Sequence, residues 1–124
     1  MKGNTIEGLY KEEYGKYDGK FIDNELQTYL TTDRYFEKYL LLTDAGVYEI
    51  WAGGCKKIGE AIPDTFKKEI RFEALSGLKV LDVTYIEEKL LVLQFGNNQY
   101  FEIGLCPDYN SYNHPERYMK FCKK

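Results

Sequence analysis

Two stretches of the chain echo one another, and each carries the pattern of a β-hairpin. They are "YFEKYLLLTDAGVYEIWAGGC" (35–55) and "YIEEKLLVLQFGNNQYFEIGLC" (85–106). Aligned, Tyr35 meets Tyr85, Glu37 meets Glu87, Glu49-Ile50 meets Glu102-Ile103, and Cys55 meets Cys106. Each copy has an apolar run, a break that accepts positive φ (Asp44-Ala45-Gly46, then Gly96-Asn97-Asn98) and a second alternating run. Strand side chains alternate between two faces, and a tight reversal needs residues that tolerate positive φ, so both copies read as hairpins. A chain committed to two hairpins must build sheet. An old duplication and the convergence of strand chemistry both account for the echo.

Alternation also assigns faces. Leu91, Leu93 and Phe95 share one face with Phe101, Ile103 and Leu105, while Tyr100 and Glu102 point the other way. Leu90 and Val92 make the outgoing strand apolar on its second face too, which predicts that a helix or a partner chain covers it.

Two more strands are predicted, at 25–31 ("ELQTYLT") and 78–85 ("LKVLDVTY"), so that each hairpin extends to a three-stranded meander. Between the meanders lies "IPDTFKKEIRFEALSG" (62–77). Asp64 suits a helix N-cap, Phe66, Ile70 and Ala74 fall on one helical face, and Gly77 is a stop signal. Ile70, Phe72 and Ala74 also alternate, so residues 70–75 admit a strand as well. Near the start, Asn4 as cap with Ile6, Leu9 or Tyr10 and Glu13 or Tyr14 at helical spacing predicts a short helix, weakened by Gly8. A single helical turn is expected from Pro115. The expected fold is one β-rich α+β domain over 1–124, two antiparallel meanders forming a curved sheet or half-barrel with one covering helix.

At 124 residues the chain has room for one hydrophobic core. No apolar run approaches the roughly 20 residues of a membrane helix, and the N-terminus lacks a secretory pattern, so a cytoplasmic location away from membranes is expected. A net charge of -3 gives no field that would attract nucleic acid directly. The three cysteines lack CxxC spacing and are expected to be reduced.

Groups for catalysis do not converge in the sequence. Ser76 and Ser111 are the only serines, neither in a GxSxG context, and Gly53-Gly54 ahead of Lys56-Lys57 lacks a phosphate-loop pattern. Cys106, His114 and Cys122 with Cys55 offer a zinc donor set, but without the close ligand pair that such sites use. Cys106 with His114 offers a nucleophile and base, but nothing adjacent to lower the thiol pKa. The expectation is a chain that is no enzyme and takes no metal or cofactor.

The segment "PDYNSYNHPERY" (107–118) differs in kind. Tyr109, Asn110, Tyr112, Asn113, His114, Glu116, Arg117 and Tyr118 are the residue types of a protein-binding surface, rigid amphipathic rings beside adaptable polar groups. The acidic pair Glu87 and Glu88 adds charge that would steer a basic partner. The plainer reading is a closing loop whose tyrosines pack on the sheet.

From Ile62 onward the order of features is a short "IP"-led helix, "SGLKVLDV", a turn, "KLLVLQFGNNQYFEI" and the tail "NHPERY". Over about half the chain this resembles small bacterial immunity proteins of polymorphic or contact-dependent toxin systems. The resemblance implies a small cytoplasmic β-rich or α+β domain that binds a cognate toxin domain, such as a nuclease, and catalyses nothing. It transfers no toxin-binding position. A small-molecule-binding β-barrel, with a cavity lined by inward tyrosines and by Leu91, Phe101 and Ile103, and a Cys-His enzyme are the alternatives. A homodimer is left open.

Overall fold

The computed structural model describes residues 1–11, 19–31, 38–51, 54–66, 68–87, 89–105 and 117–123. Their strands, in chain order, are β1 (Ile6–Lys11), β2 (Lys20–Phe21), β3 (Thr28–Thr31), β4 (Tyr39–Thr43), β5 (Gly46–Trp51), β6 (Gly54–Gly59), β7 (Lys68–Glu69), β8 (Asp82–Ile86), β9 (Leu90–Gln94), β10 (Gln99–Gly104) and β11 (Arg117–Lys123). A first sheet has the order β6-β5-β4-β1-β7 and a second the order β2-β3-β11-β10-β9-β8. All pairings are antiparallel.

This corrects the expected α+β class. Among the described residues the fold is all-β, with no covering helix, and its two sheets remain open and do not close into a half-barrel.

The two missing helices have local physical causes. In β1 the register to β4 shifts between Ile6 and Gly8, a β-bulge that inserts one residue. The bulge lets Ile6 and Leu9, three apart, both turn into the core at 1% exposure, so a strand carries helical spacing. The segment from Asp64 fails as a helix because β1 has an open side. Lys68-Glu69 pair with Lys11-Tyr10, and the Ile70 N–H donates to the Leu9 carbonyl at 2.8 Å. Ile70 and Phe72 are buried two residues apart, and turns over 73–77 return the chain so that the Gly77 N–H reaches the Ile6 carbonyl. The tail from Arg117 is likewise a strand and not a helical turn. In it Met119 and Phe121 point inward while Tyr118 and Lys120 are exposed.

Both hairpins form. β4 and β5 reverse through Asp44-Ala45, with Gly46 at φ 122°, and β9 and β10 reverse through Asn97 and Asn98 at φ 59° and 60°. The echoed Ile50 and Ile103 are both fully buried, one in each sheet. Their third strands differ: β6 follows the first hairpin, whereas β8 precedes the second. The predicted strand at 25–31 narrows to β3 and joins β11, far away in sequence, instead of the first hairpin.

The core lies between the sheets. Leu9, Leu41 and Ile50 of the first meet Leu91, Phe101, Ile103 and Met119 of the second in one buried cluster. Phe72 ties the layers together through edge-on contacts with Phe21 at 5.0 Å and Phe101 at 4.8 Å. The inward set predicted for the second hairpin, Leu91, Leu93, Phe95, Phe101, Ile103 and Leu105, is buried throughout. β4 is buried on both faces, with Tyr39, Leu40 and Leu41 in succession at most 1% exposed. β9, expected to be covered twice, is so in part: Val92 on its outer face is 9% exposed and Leu90 is half-buried, with no helix among the described residues to cover them. No helix of the described residues is long and apolar enough to cross a membrane.

Candidate functional site

Of the residues singled out for partner binding, Tyr109, Asn110, Tyr112, Asn113, His114, Glu116 and Glu88 lie outside the described residues. Arg117 opens β11, paired with Thr31 of β3, and Tyr118 follows it. Glu87 is exposed in the turn between β8 and β9.

The fold brings Glu87, Arg117 and Tyr118 to one end of the second sheet. Leu90 of β9 pairs with Gly104 of β10 and with Ile86 of β8. The turn closes through Lys89 N–H donating to the Ile86 carbonyl at 2.9 Å, and Leu105 N–H then donates to the Lys89 carbonyl at 2.9 Å. The turn holding Glu87 is therefore bonded to the point where the chain leaves β10 towards 106–116, and Arg117 is where it returns.

Leu91 and Leu93 face the core, so Leu90, Val92 and their partners Ile86, Thr84, Glu102 and Gly104 lie on the outer face of the second sheet. The ring of Tyr118 lies over Gly104 on that face, and its hydroxyl stands 3.5 Å from Glu102 Oε2, to which it donates. Ile86, half-buried Leu90, Tyr118 and half-buried Leu30 make an apolar row across the sheet, with Ile86 47% and Tyr118 36% exposed. Partial burial, followed by the negative charge of Glu102, raises the Tyr118 phenol above its ordinary pKa. A hydrogen bond with Cys122 and its nearby charge do the same for Tyr100 on the neighbouring strand position. Both phenols therefore stay neutral and act as hydrogen-bonding tips on apolar rings.

Leu90 was marked from sequence, with Val92, as an outward apolar position for a helix or partner chain to cover, whereas Ile86 was missed as a contact candidate; it stands opposite Leu90 on the same face.

The other candidates separate in space. Cys55 sits in β6 of the first sheet, partly buried against the core, while Cys122 sits on the opposite layer in β11. Burial pushes the Cys55 thiol up to about 11, which makes it a poor nucleophile at neutral pH. Cys106 and His114 are outside the described residues, and among those described no three His, Cys, Asp or Glu side chains gather as metal donors. Leu91, Phe101 and Ile103, proposed to line a ligand cavity, are at most 1% exposed and packed within the core. A cleft of about 200 Å³ lies elsewhere, between β1 and residues 69–76. Ile6, Leu9, Ile70, Phe72 and Leu75 form its apolar lining, and Glu7, Arg71 and Ser76 its polar one. Arg71 is already paired with Glu69 at 3.0 Å. The cleft is smaller than the roughly 300 Å³ at which ligand sites begin.

The described surface can thus bind by area and hydrogen bonds, and presents no assembled nucleophile, base or donor set. Comparison with protein-family models, with curated proteins and with solved structures finds no match to this chain.

Proposed function

We propose that this chain is a non-enzymatic protein-binding module that acts as an immunity protein, neutralising a bacterial toxin domain by direct contact. The observation that carries the reading is the Tyr118 ring over Gly104, its hydroxyl on Glu102, at the sheet end that also holds Glu87. An exposed aromatic anchor on a rigid strand, with carboxylates beside it, suits a partner surface of mixed apolar and basic character. The overall charge of -3 supports a basic partner such as a nuclease domain. The segment "KLLVLQFGNNQYFEI", one part of the arrangement from Ile62 onward on which the resemblance to immunity proteins rests, forms the β9–β10 hairpin that supports this surface, while the short helix leading that arrangement is not formed among the described residues.

The test is binding to the toxin domain encoded in the adjacent gene. Tyr109→Ala, Tyr112→Ala, Arg117→Ala and Tyr118→Ala should each weaken binding by about 1 to 3 kcal/mol with little change in melting temperature. Neutralising Glu87, Glu88 and Glu116 should slow association, less so at high salt. Normal binding by all of these variants would reject the surface, and inhibition of no neighbouring toxin would reject the function.

A further inference from the structure

Residues 70–77 leave the side of β1 and come back to it, and the cleft lies between the two attachments. The Ile70 N–H donates to the Leu9 carbonyl at 2.8 Å, and the Gly77 N–H to the Ile6 carbonyl at 2.8 Å. Between these points the chain follows its buried side chains, Phe72 and Leu75, and among the described residues none of its backbone groups bonds to Glu7 or Gly8. The β-bulge falls at the same place. Ile6 pairs with Thr43 and Gly8 with Leu42, so Glu7 is the inserted residue and has no partner in β4. Bulges re-aim a side chain and are enriched beside functional sites. All ten residues that line the cleft are described ones.

The walls are set before any ligand arrives. Ile6, Leu9, Ile70, Phe72 and Leu75 belong to the core cluster and are at most 5% exposed, so packing holds them from behind. Walls fixed in this way need little ordering on binding. A cleft of about 200 Å³ is too small for a drug-sized molecule and suits a single ring. In another protein an apolar cavity of ~150 Å³ lined by Leu, Ile and Phe takes up benzene.

The rim decides the charge of the ligand. Arg71 is paired with Glu69 at 3.0 Å, its side chain 81% exposed, so these two charges balance each other. Glu7 is exposed, and no ion pair engages it among the described residues. Ser76 adds an exposed hydroxyl. One unbalanced carboxylate beside an apolar floor selects a cation that carries a ring. We infer that the cleft binds a small arylalkylamine, its aromatic ring among Ile6, Leu9, Ile70 and Leu75 and its ammonium group at the Glu7 carboxylate and the Ser76 hydroxyl.

This site does not rest on the toxin-binding reading, since it belongs to β1 in the first sheet, and its test needs no toxin. Phenethylammonium titrated into the methyl-labelled chain should give saturable NMR shifts at the Ile6, Ile70 and Leu75 methyls. Phenethyl alcohol should bind more weakly, and phenylacetate more weakly still. Glu7→Gln should lower the affinity for phenethylammonium about two- to fivefold and leave that for phenethyl alcohol unchanged. Ser76→Trp, at an exposed rim position, should block both with unchanged circular dichroism. The inference is overturned by the absence of saturable shifts through the millimolar range, or by shifts centred on methyls outside the cleft. It is also overturned if phenylacetate binds as tightly as the amine, if Glu7→Gln binds the amine like the wild type, or if the peptide Lys-Phe-Lys binds and the free amine does not.

Discussion

The phenol ring of Tyr118 occupies the space above Gly104, and a Cβ built on Gly104 would stand 2.8 Å from its Cε1 and 2.9 Å from its Cδ1. Any larger residue at position 104 must displace the ring, which can swing out into solvent. Gly104→Ala should therefore reproduce the binding loss of Tyr118→Ala while costing about 1 kcal/mol or less in stability. Binding titration and thermal melts of the two variants check this. A large loss of stability without loss of binding would mean that Tyr118 serves the fold and not a partner.

Burial sets a sharp ranking along the second hairpin. Leu91→Ala and Ile103→Ala should each cost about 2 to 5 kcal/mol through the cavity they leave, and Glu102→Ala well under 1 kcal/mol, since its carboxylate lies on the outer face. Leu40→Ala should fall in the costly class, although alternation puts Leu40 on the face of β4 away from the core, because it is 0% exposed. Urea denaturation of the four variants measures the order.

The two hairpin reversals should respond oppositely to alanine. Gly46 has φ 122°, and a Cβ there would stand 2.6 Å from the Gly59 carbonyl oxygen, so Gly46→Ala should lose about 1 to 3 kcal/mol. Gly96 has no atom within 4 Å of a built Cβ and does not carry a positive φ, so Gly96→Ala should be near neutral. Melting temperatures of the pair decide it.

Cys55 predicts an alkaline limit. Its folded pKa is raised from 9.0 to about 11 by burial. The stabilisation from burying the neutral thiol is fully present below pH 9, and it is lost as pH rises towards 11 and the unfolded chain ionises first. Cys55→Ala or Cys55→Val should flatten the decline in stability over that window. In the wild type, alkylation of Cys55 should be slow at neutral pH and fast once the chain is unfolded.

Alternation by itself determined both hairpins, the inward row from Leu91 to Leu105 and the outward direction of Tyr100 and Glu102, because strand side chains have a period of two whatever lies across the sheet. The same period is visible in Tyr118-Met119-Lys120-Phe121 and was obscured there only by the proline before it. The candidate surface was legible in part: Tyr118 and Glu87 were marked from residue type, but their adjacency to Gly104, Glu102 and Leu90 was not. That adjacency depends on β9, β10 and β11 lying side by side in register, a long-range outcome. Tertiary structure alone decided the two segments read as helices. At Ile6 and Leu9 a bulge replaced the period of two by a spacing of three, which a helix shares. Around Ile70 both periods were written in the chain, and the open side of β1, with the Leu9 carbonyl waiting for a donor, selected the extended form. A backbone group at a sheet side must be satisfied by something, and only the folded chain specifies what stands opposite it.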